Sequence, residues 1–273
     1  MKLAINYSIP AAELVQAGII EIDLFKTPDW DWIINEAKAI KPVTIHYRFD
    51  AGNSSLEQVD WNKVDEFSKK TGTPYTNLHL DARGSYYPGI PVDTKNKAEV
   101  ESVFKTIRSD IMKVVDKFGA ERTIVENCFS LGEGGNTMRL CNQPELITRL
   151  VEETGCGFLL DISHAMIAAK TIGLKPDVYL SRLPVHKLKE MHFTGIHHFR
   201  ETGLWMDHLA IRKQDWHWLD WVLDRLRGGE WSPPWLLVFE YGGIGQQFEW
   251  RTKPGVIKQQ VPMLYERVKA VTD

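Results

Sequence analysis

Residues 122–164, RTIVENCFSLGEGGNTMRLCNQPELITRLVEETGCGFLLDISH, decide the fold. A short run rich in β-branched residues, RTIVEN, is followed by a Gly-rich turn and then by a helix-like segment from Pro144 to Glu153. The chain returns to a second apolar run, GFLLD, which starts at Gly157. Strand, helix and strand in that order make a βα unit of a parallel sheet.

The same alternation extends in both directions. Strand-like runs are LAINY from Leu3, IIEIDLF from Ile19, VTIHY from Val43, YTNLHL from Tyr75, LKEMHFT from Leu188 and WLLVFE from Trp235. Helix-like segments cover Asp29 to Ile40, Trp61 to Lys70, Lys97 to Phe118, Asp215 to Arg227 and Lys258 to Val271. In the fourth of these, Leu219, Val222, Leu223 and Leu226 keep helical spacing, and Gly228 and Gly229 supply the stop. Together with the opening stretch this gives eight strands. Eight βα units close a (β/α)8 TIM barrel, and a single domain over residues 1–273 is expected, because such barrels run to about 250 residues. No GxGxxG or P-loop pattern follows any strand, which argues against an open doubly wound sheet.

Composition removes several functions. The formal net charge is -3 and there is no run of Lys or Arg, so the chain has no electrostatic footprint for nucleic acid or an anionic membrane. Cys128, Cys141 and Cys156 are odd in number and lack CxxC spacing, which points to a reducing compartment rather than a disulfide framework. Cys156 is expected in the core, and Cys128 closer to the functional pocket. The N-terminal KLAINYS has no apolar signal core, and no apolar stretch is long enough to span a bilayer. A soluble cytoplasmic protein is expected. Trp30, Trp32, Trp61, Trp216, Trp218 and Trp221 fall on helix-like segments and are expected to pack against the barrel wall. A Trp-rich helix that stays exposed would suit a homodimer face. The SLGEGGN segment, Ser130 to Asn136, lacks the Lys of a phosphate cradle and reads as a plain turn.

The chemistry lies at the strand ends. His46 ends PVTIHY, His79 sits in YTNLHL, Glu126 in TIVEN, Asp161 and His164 in FLLDISH, His192 in EMHFTG, Asp207 and His208 in MDHLAI, and Glu240 in LLVFEY. A lone histidine at a strand end is more often a hydrogen-bonded core or rim residue than a ligand. Carboxylates ending apolar strands are a different matter, because a buried unpaired carboxylate is costly and a bound cation offsets that cost. Donors placed one per strand at the same end of a parallel barrel would converge on a single oxygen- and nitrogen-rich metal site, which reads as multinuclear. The DxxH spacing of Asp161 and His164 lets both face one cavity. His197, and Trp205 in the Gly-containing stretch after the seventh strand, are candidates to line a substrate pocket.

The order of these donors resembles the xylose-isomerase-like barrel superfamily, which includes sugar isomerases, epimerases and the endonuclease IV type of repair enzyme. More closely, KPVTIHYRFDAG, NLHLDA, IVENC, NQPELITRLVEETGCGFLLDISHAMIAA, LPVHKLKEMHFTGIH and LLVFE resemble the domain-of-unknown-function 692 family. That family is associated with multinuclear non-haem iron oxidases that modify cysteines in ribosomally made peptides. The resemblance implies that Glu126 bridges two metals, with Asp161, His192 and Glu240 completing one site and His46 and His79 the other. It implies a third metal at His164 and the His208 loop. In that loop the family has Asp-x-His, whereas here Asp207 and His208 are adjacent and Met206 stands where the Asp should be. The family's HxxGH motif is longer by one residue, with Ile196 between Gly195 and His197. Two and three metals therefore both stay open. Mixed imidazole and carboxylate ligation suits iron, zinc or manganese.

The expectation is an iron-dependent oxidase acting on a peptide or small thiol. A single-domain chain without a peptide-leader-binding domain would then need a partner protein. A metal-dependent sugar isomerase or epimerase would need only the Glu126, Asp161, His192 and Glu240 metal, leaving His46 and His79 without a part. An endonuclease IV-like phosphodiesterase fits less well with the acidic net charge. A barrel that keeps its ligands only as a structural or sensing relic is the non-enzymatic reading, and an open pocket at the loop-rich end argues against it.

Overall fold

The computed structural model describes residues 1–129, 136–199 and 201–272. The Ser130–Gly135 part of the expected plain turn lies outside the described residues. Among the described residues ten strands are formed: β1 (Lys2–Asn6), β2 (Leu24–Thr27), β3 (Val43–Ile45), β4 (Thr76–His79), β5 (Thr123–Glu126), β6 (Gly157–Asp161), β7 (Leu188–Phe193), β8 (Gly195–Phe199), β9 (Leu204–Leu209) and β10 (Leu236–Phe239). The helices are α1 (Ile9–Gln16), α2 (Asp31–Lys38), α3 (Trp61–Thr71), α4 (Lys97–Phe118), α5 (Pro144–Thr154), α6 (Ile162–Ile172), α7 (Pro176–Leu180), α8 (Lys213–Arg227), α9 (Gln246–Glu249) and α10 (Pro254–Thr272).

The chain divides into two compact units. One comprises Met1–His46, Asn62–Thr73 and Lys189–Asp273. Five of its strands run parallel in the order β3-β2-β1-β10-β7. α10 packs on β1 and β10 and against α1 and α8. The other unit comprises Tyr47–Trp61 and Pro74–Leu188. It holds β4, β5 and β6 in parallel, with α4 packed on β4, β5 and α5. β6 is buried at all five positions and β10 at all four, as expected for parallel strands covered on both faces.

Local chemistry sets the element ends. Asn96 accepts from the backbone of Ala98 and Glu99 to start α4. Pro144 opens α5, and Gly155, in a left-handed conformation with φ of 70°, closes it. Gly228 caps α8 and Gly229, with φ of 69°, turns the chain away from it.

Several expectations need correction. The second strand begins at Leu24 rather than Ile19, because Gly18 adopts φ of 66° and turns the chain, leaving Ile19 exposed. Ile20 and Ile22 are buried outside any strand, so apolar content alone placed the element too early. Trp30 and Trp32 stack on each other at the start of α2 and are 42% and 53% exposed, so they do not pack against the sheet. The stretch after the seventh strand is no loop: β8 and β9 pair as an antiparallel hairpin that carries Trp205, Asp207 and His208. Gly195 is required there, since a Cβ would lie 1.9 Å from the Ala210 carbonyl oxygen. Among the described residues no helix is long and apolar enough to cross a membrane.

Candidate metal centre

Each unit gathers imidazoles and carboxylates at the carboxyl ends of its own parallel strands. In the unit built on β4 to β6, His79 and Glu126 are direct neighbours in the strand register. Glu126 is buried, and its two oxygens face different rings. Oε2 lies 3.3 Å from His79 Nε2, and Oε1 lies 3.5 Å from His164 Nδ1. Glu126 thus presents one oxygen to each of two imidazoles.

The rings themselves are anchored from behind. His79 Nδ1 lies 3.2 Å from the Phe49 carbonyl and 3.6 Å from Asp50 Oδ1. Donation to that carbonyl places the proton on Nδ1 and turns the Nε2 lone pair toward Glu126. Burial opposes the protonated form of His79, but Glu126 and Asp50 outweigh it and raise its pKa. His164 Nδ1 donates to the Asn127 carbonyl at 2.9 Å, which leaves Nε2 on the side of Asp161, 3.6 Å from Oδ2. Asp161 also caps α6, with Oδ1 accepting the His164 backbone N–H at 2.7 Å. The DxxH spacing thus has a local cause: one oxygen starts the helix that carries the histidine, and the other faces its ring. Asn127 locks this corner by donating to the Asp161 carbonyl and accepting from the Asp161 N–H, both at 2.9 Å. Cys128 is buried two residues beyond Glu126, and burial, reinforced by that carboxylate, pushes its thiol well up.

In the other unit the donors are His46 just past β3, His192 on β7 and Glu240 just past β10. The rings of His46 and His192 are 5.0 Å apart. His192 is fully buried and held at both nitrogens: Nε2 donates to Glu190 Oε1 at 3.1 Å, and Nδ1 stands 3.2 Å from Glu240 Oε1. Two groups that both present lone pairs at that distance need a proton or a metal ion to share. Glu190 is fixed in turn by the Trp235 indole N–H, 3.0 Å from its second oxygen. Glu240 also accepts from the Lys26 ammonium, which is buried on β2.

The hairpin donors are more loosely placed. His208 Nε2 lies 3.8 Å from Asp207 Oδ2 and 4.0 Å from Glu240 Oε2. The His208 backbone is left-handed, with φ of 54°, and its ring packs edge-on against Phe248. Arg251 donates to the Asp207 carbonyl at 2.9 Å and so ties β9 to the segment after α9. His197 Nε2 donates to the Ala210 carbonyl at 2.9 Å, a bond within the hairpin region. Trp205 packs its ring 5.1 Å from that of His198.

Lys26, Asp50, Asn127 and Glu190 were not singled out from sequence. Only Glu190 left a signal: it stands two residues before His192 on one strand, where side chains share a face. The donor set itself, imidazole nitrogens and carboxylate oxygens with little sulfur, is chemically suited to iron, zinc or manganese.

Known proteins agree with this architecture. A D-psicose 3-epimerase structure has a TM-score of 0.59 at 13% identity, covering 99% of both chains. Endonuclease IV from Thermus thermophilus has a TM-score of 0.54 at 15% identity, covering 99% of this chain and 100% of that one. A xylose isomerase-like TIM barrel/4-hydroxyphenylpyruvate dioxygenase fusion protein has a TM-score of 0.54 at 12% identity, with 98% of this chain and 44% of that one covered. The fold is therefore the xylose isomerase-like TIM barrel. Among curated relatives, a UPF0276 protein of Caulobacter vibrioides (strain NA1000 / CB15N) is 25% identical over 114 residues, which are 41% of this chain and 38% of the relative. A UPF0276 protein of Acaryochloris marina is 24% identical over 168 residues, 59% of this chain and 58% of the relative. The aligned part of this chain thus spans less than two thirds of either relative. Residues 91–230, just over half of the 273, match the family described as RiPP precursor modification enzyme MbnB/TglH/ChrH, and the chain belongs to that family.

Proposed function

We propose that the protein is an iron-dependent oxidase that modifies a thiol-bearing substrate, a cysteine of a ribosomally made peptide or a small thiol. The observation that carries this reading is Glu126, a buried carboxylate with one oxygen toward His79 and the other toward His164. Isomerisation on a single metal has no need of a second set of imidazoles, whereas an oxidase that must hold a thiolate and use dioxygen does.

In this reading the ligand sets are those the family resemblance implies, Glu126, Asp161, His192 and Glu240 for one ion and His46, His79 and Glu126 for a second. Were a third ion bound, His164, Asp207 and His208 would be its donors. Iron bound there would supply a Lewis-acidic seat for a thiolate and the redox capacity to use dioxygen. The protein's own part is orientation. Asn127 and the Phe49 carbonyl fix which nitrogen of His164 and His79 carries the proton, and Glu190 does the same for His192. His197 and Trp205 would line the approach for substrate. A peptide substrate would be delivered with a partner protein, and the family supports a peptide over a sugar.

Elemental analysis of protein purified under anaerobic conditions tests the reading. Two or more irons per chain are expected. A single manganese, zinc or magnesium per chain would overturn the oxidase and leave a sugar isomerase or epimerase as the better account.

A further inference from the structure

Among the described residues Lys26 is the one buried Lys or Arg. It lies on β2, where Lys is a poor choice for a strand covered on both faces, and all four residues of that strand are buried. Its ammonium donates to Glu240 Oε1. The same oxygen stands 3.2 Å from His192 Nδ1, so it is the donor that a cation held by His192 and Glu240 would use. Burying an ammonium is costly unless it is paired, and the carboxylate answers that cost.

We infer that Lys26 competes with metal for Glu240 and sets how tightly the ion at that carboxylate is held. The inference rests on the metal-centre reading above and deepens it. An ammonium and a divalent cation drawn to one carboxylate oxygen repel each other, and burial strengthens that repulsion by excluding water. The ion at Glu240 is therefore the exchangeable one, because part of the carboxylate's charge is already met by Lys26. Lys26 also keeps Glu240 compensated before any ion arrives, so the strand ends assemble without a bare buried charge.

A structural role alone predicts that removing Lys26 weakens the site. Competition predicts the opposite sign. The full chain and its Lys26→Met and Lys26→Arg variants would be titrated with Mn2+ by calorimetry, with bound metal counted by elemental analysis after dialysis. Lys26→Met, which keeps the length and drops the charge, is expected to bind one Mn2+ at least about tenfold more tightly than the wild type, and Lys26→Arg is not. Equal or weaker binding by a folded Lys26→Met overturns the inference. If Lys26→Met loses its far-ultraviolet circular dichroism, Lys26→Gln, whose amide still donates to Glu240 without charge, takes its place with the same expected tightening. A wild type that binds neither Mn2+ nor Fe2+ would overturn the metal centre itself, whereas a wild type that binds metal beside a variant that gains nothing overturns only the role of Lys26.

Discussion

Glu126 and Glu240 are the same residue type at equivalent places, each at the carboxyl end of a parallel strand and each buried, yet they are set in opposite electrostatic surroundings. Glu126 has an imidazole toward each oxygen: the His79 ring, held by the Phe49 carbonyl, turns its Nε2 lone pair to Oε2, and the His164 ring, held by the Asn127 carbonyl, brings its Nδ1 edge to Oε1. Glu240 meets both His192 and the Lys26 ammonium at one oxygen, Oε1. Burial of an acid therefore does not by itself mark a metal ligand. What matters is whether the charge has already been met within the protein, and on that measure Glu126 is the stronger claimant of the two.

The sharpest way to break this contrast is Glu126→Gln. The amide keeps the shape and removes the charge, and only one of its two ends can still act as an oxygen donor. A bridging carboxylate lost in this way is expected to lower bound metal by more than one ion per chain, read by elemental analysis. Unchanged stoichiometry would sink the bridging role.

Glu190 probes the other side. Its carboxylate holds His192 Nε2 and is itself steadied by the Trp235 indole. Replacing Glu190 by Gln is expected to weaken metal affinity by about 10- to 100-fold while the count at saturating metal stays the same, as seen when the partner behind a ligating histidine is changed. Trp235→Phe, one contact further out, should fall at or below the lower end of that range. Equal affinities in the variant and the wild type would show that the His192 ring is oriented by packing alone.

Glu190 also illustrates what the sequence withheld. The strand-end placement of the candidate donors His46, His79, Glu126, Asp161, His192 and Glu240 was legible because each lies at or near the end of an apolar run, and such runs are what form parallel strands. α4 was legible to the residue at both ends, with an Asn cap before it and Gly after it. The residues that hold these donors in place were not, because they act across strand neighbours that share no fixed spacing: Lys26 on β2 reaches Glu240 past β10, 214 positions away. A lysine within an apolar run reads as solvent-facing, and the isoleucines at 19, 20 and 22 drew the strand away from it. The β8–β9 hairpin was hidden for another reason. Its strands are half-exposed and carry polar residues at the positions that matter, so they show little apolar alternation.

Asp161 offers a finer separation, because it caps α6 with one oxygen and turns the other toward His164. Asp161→Asn keeps a capping oxygen and removes the charge, so it is expected to lower metal content with little change in stability. Asp161→Ala should lower metal content equally and cost about 1 kcal/mol of unfolding free energy besides. Denaturant melts of the two variants against the wild type read the difference. Equal stabilities for both would show that the cap contributes nothing and that the aspartate serves the ligand role alone.

The smallest effect is expected at His208. Its ring nitrogen is 4.0 Å from Glu240 and 3.8 Å from Asp207, and its backbone sits at φ of 54°, a region that non-glycine residues enter at a cost. Two variants separate the ring from the strain. His208→Ala removes the ring but keeps a side chain in the unfavourable backbone region, whereas His208→Gly removes the ring and suits the left-handed conformation. If the hairpin lies outside the two-metal core, both should retain the same metal count as the wild type, and Gly should be the more stable of the pair by about 1 kcal/mol. Loss of all metal in both would tie the hairpin to the core and make a third ion part of one interdependent centre. Loss in His208→Ala alone would point instead to the backbone, with the strained turn holding Asp207 and the chain after it in place through Arg251.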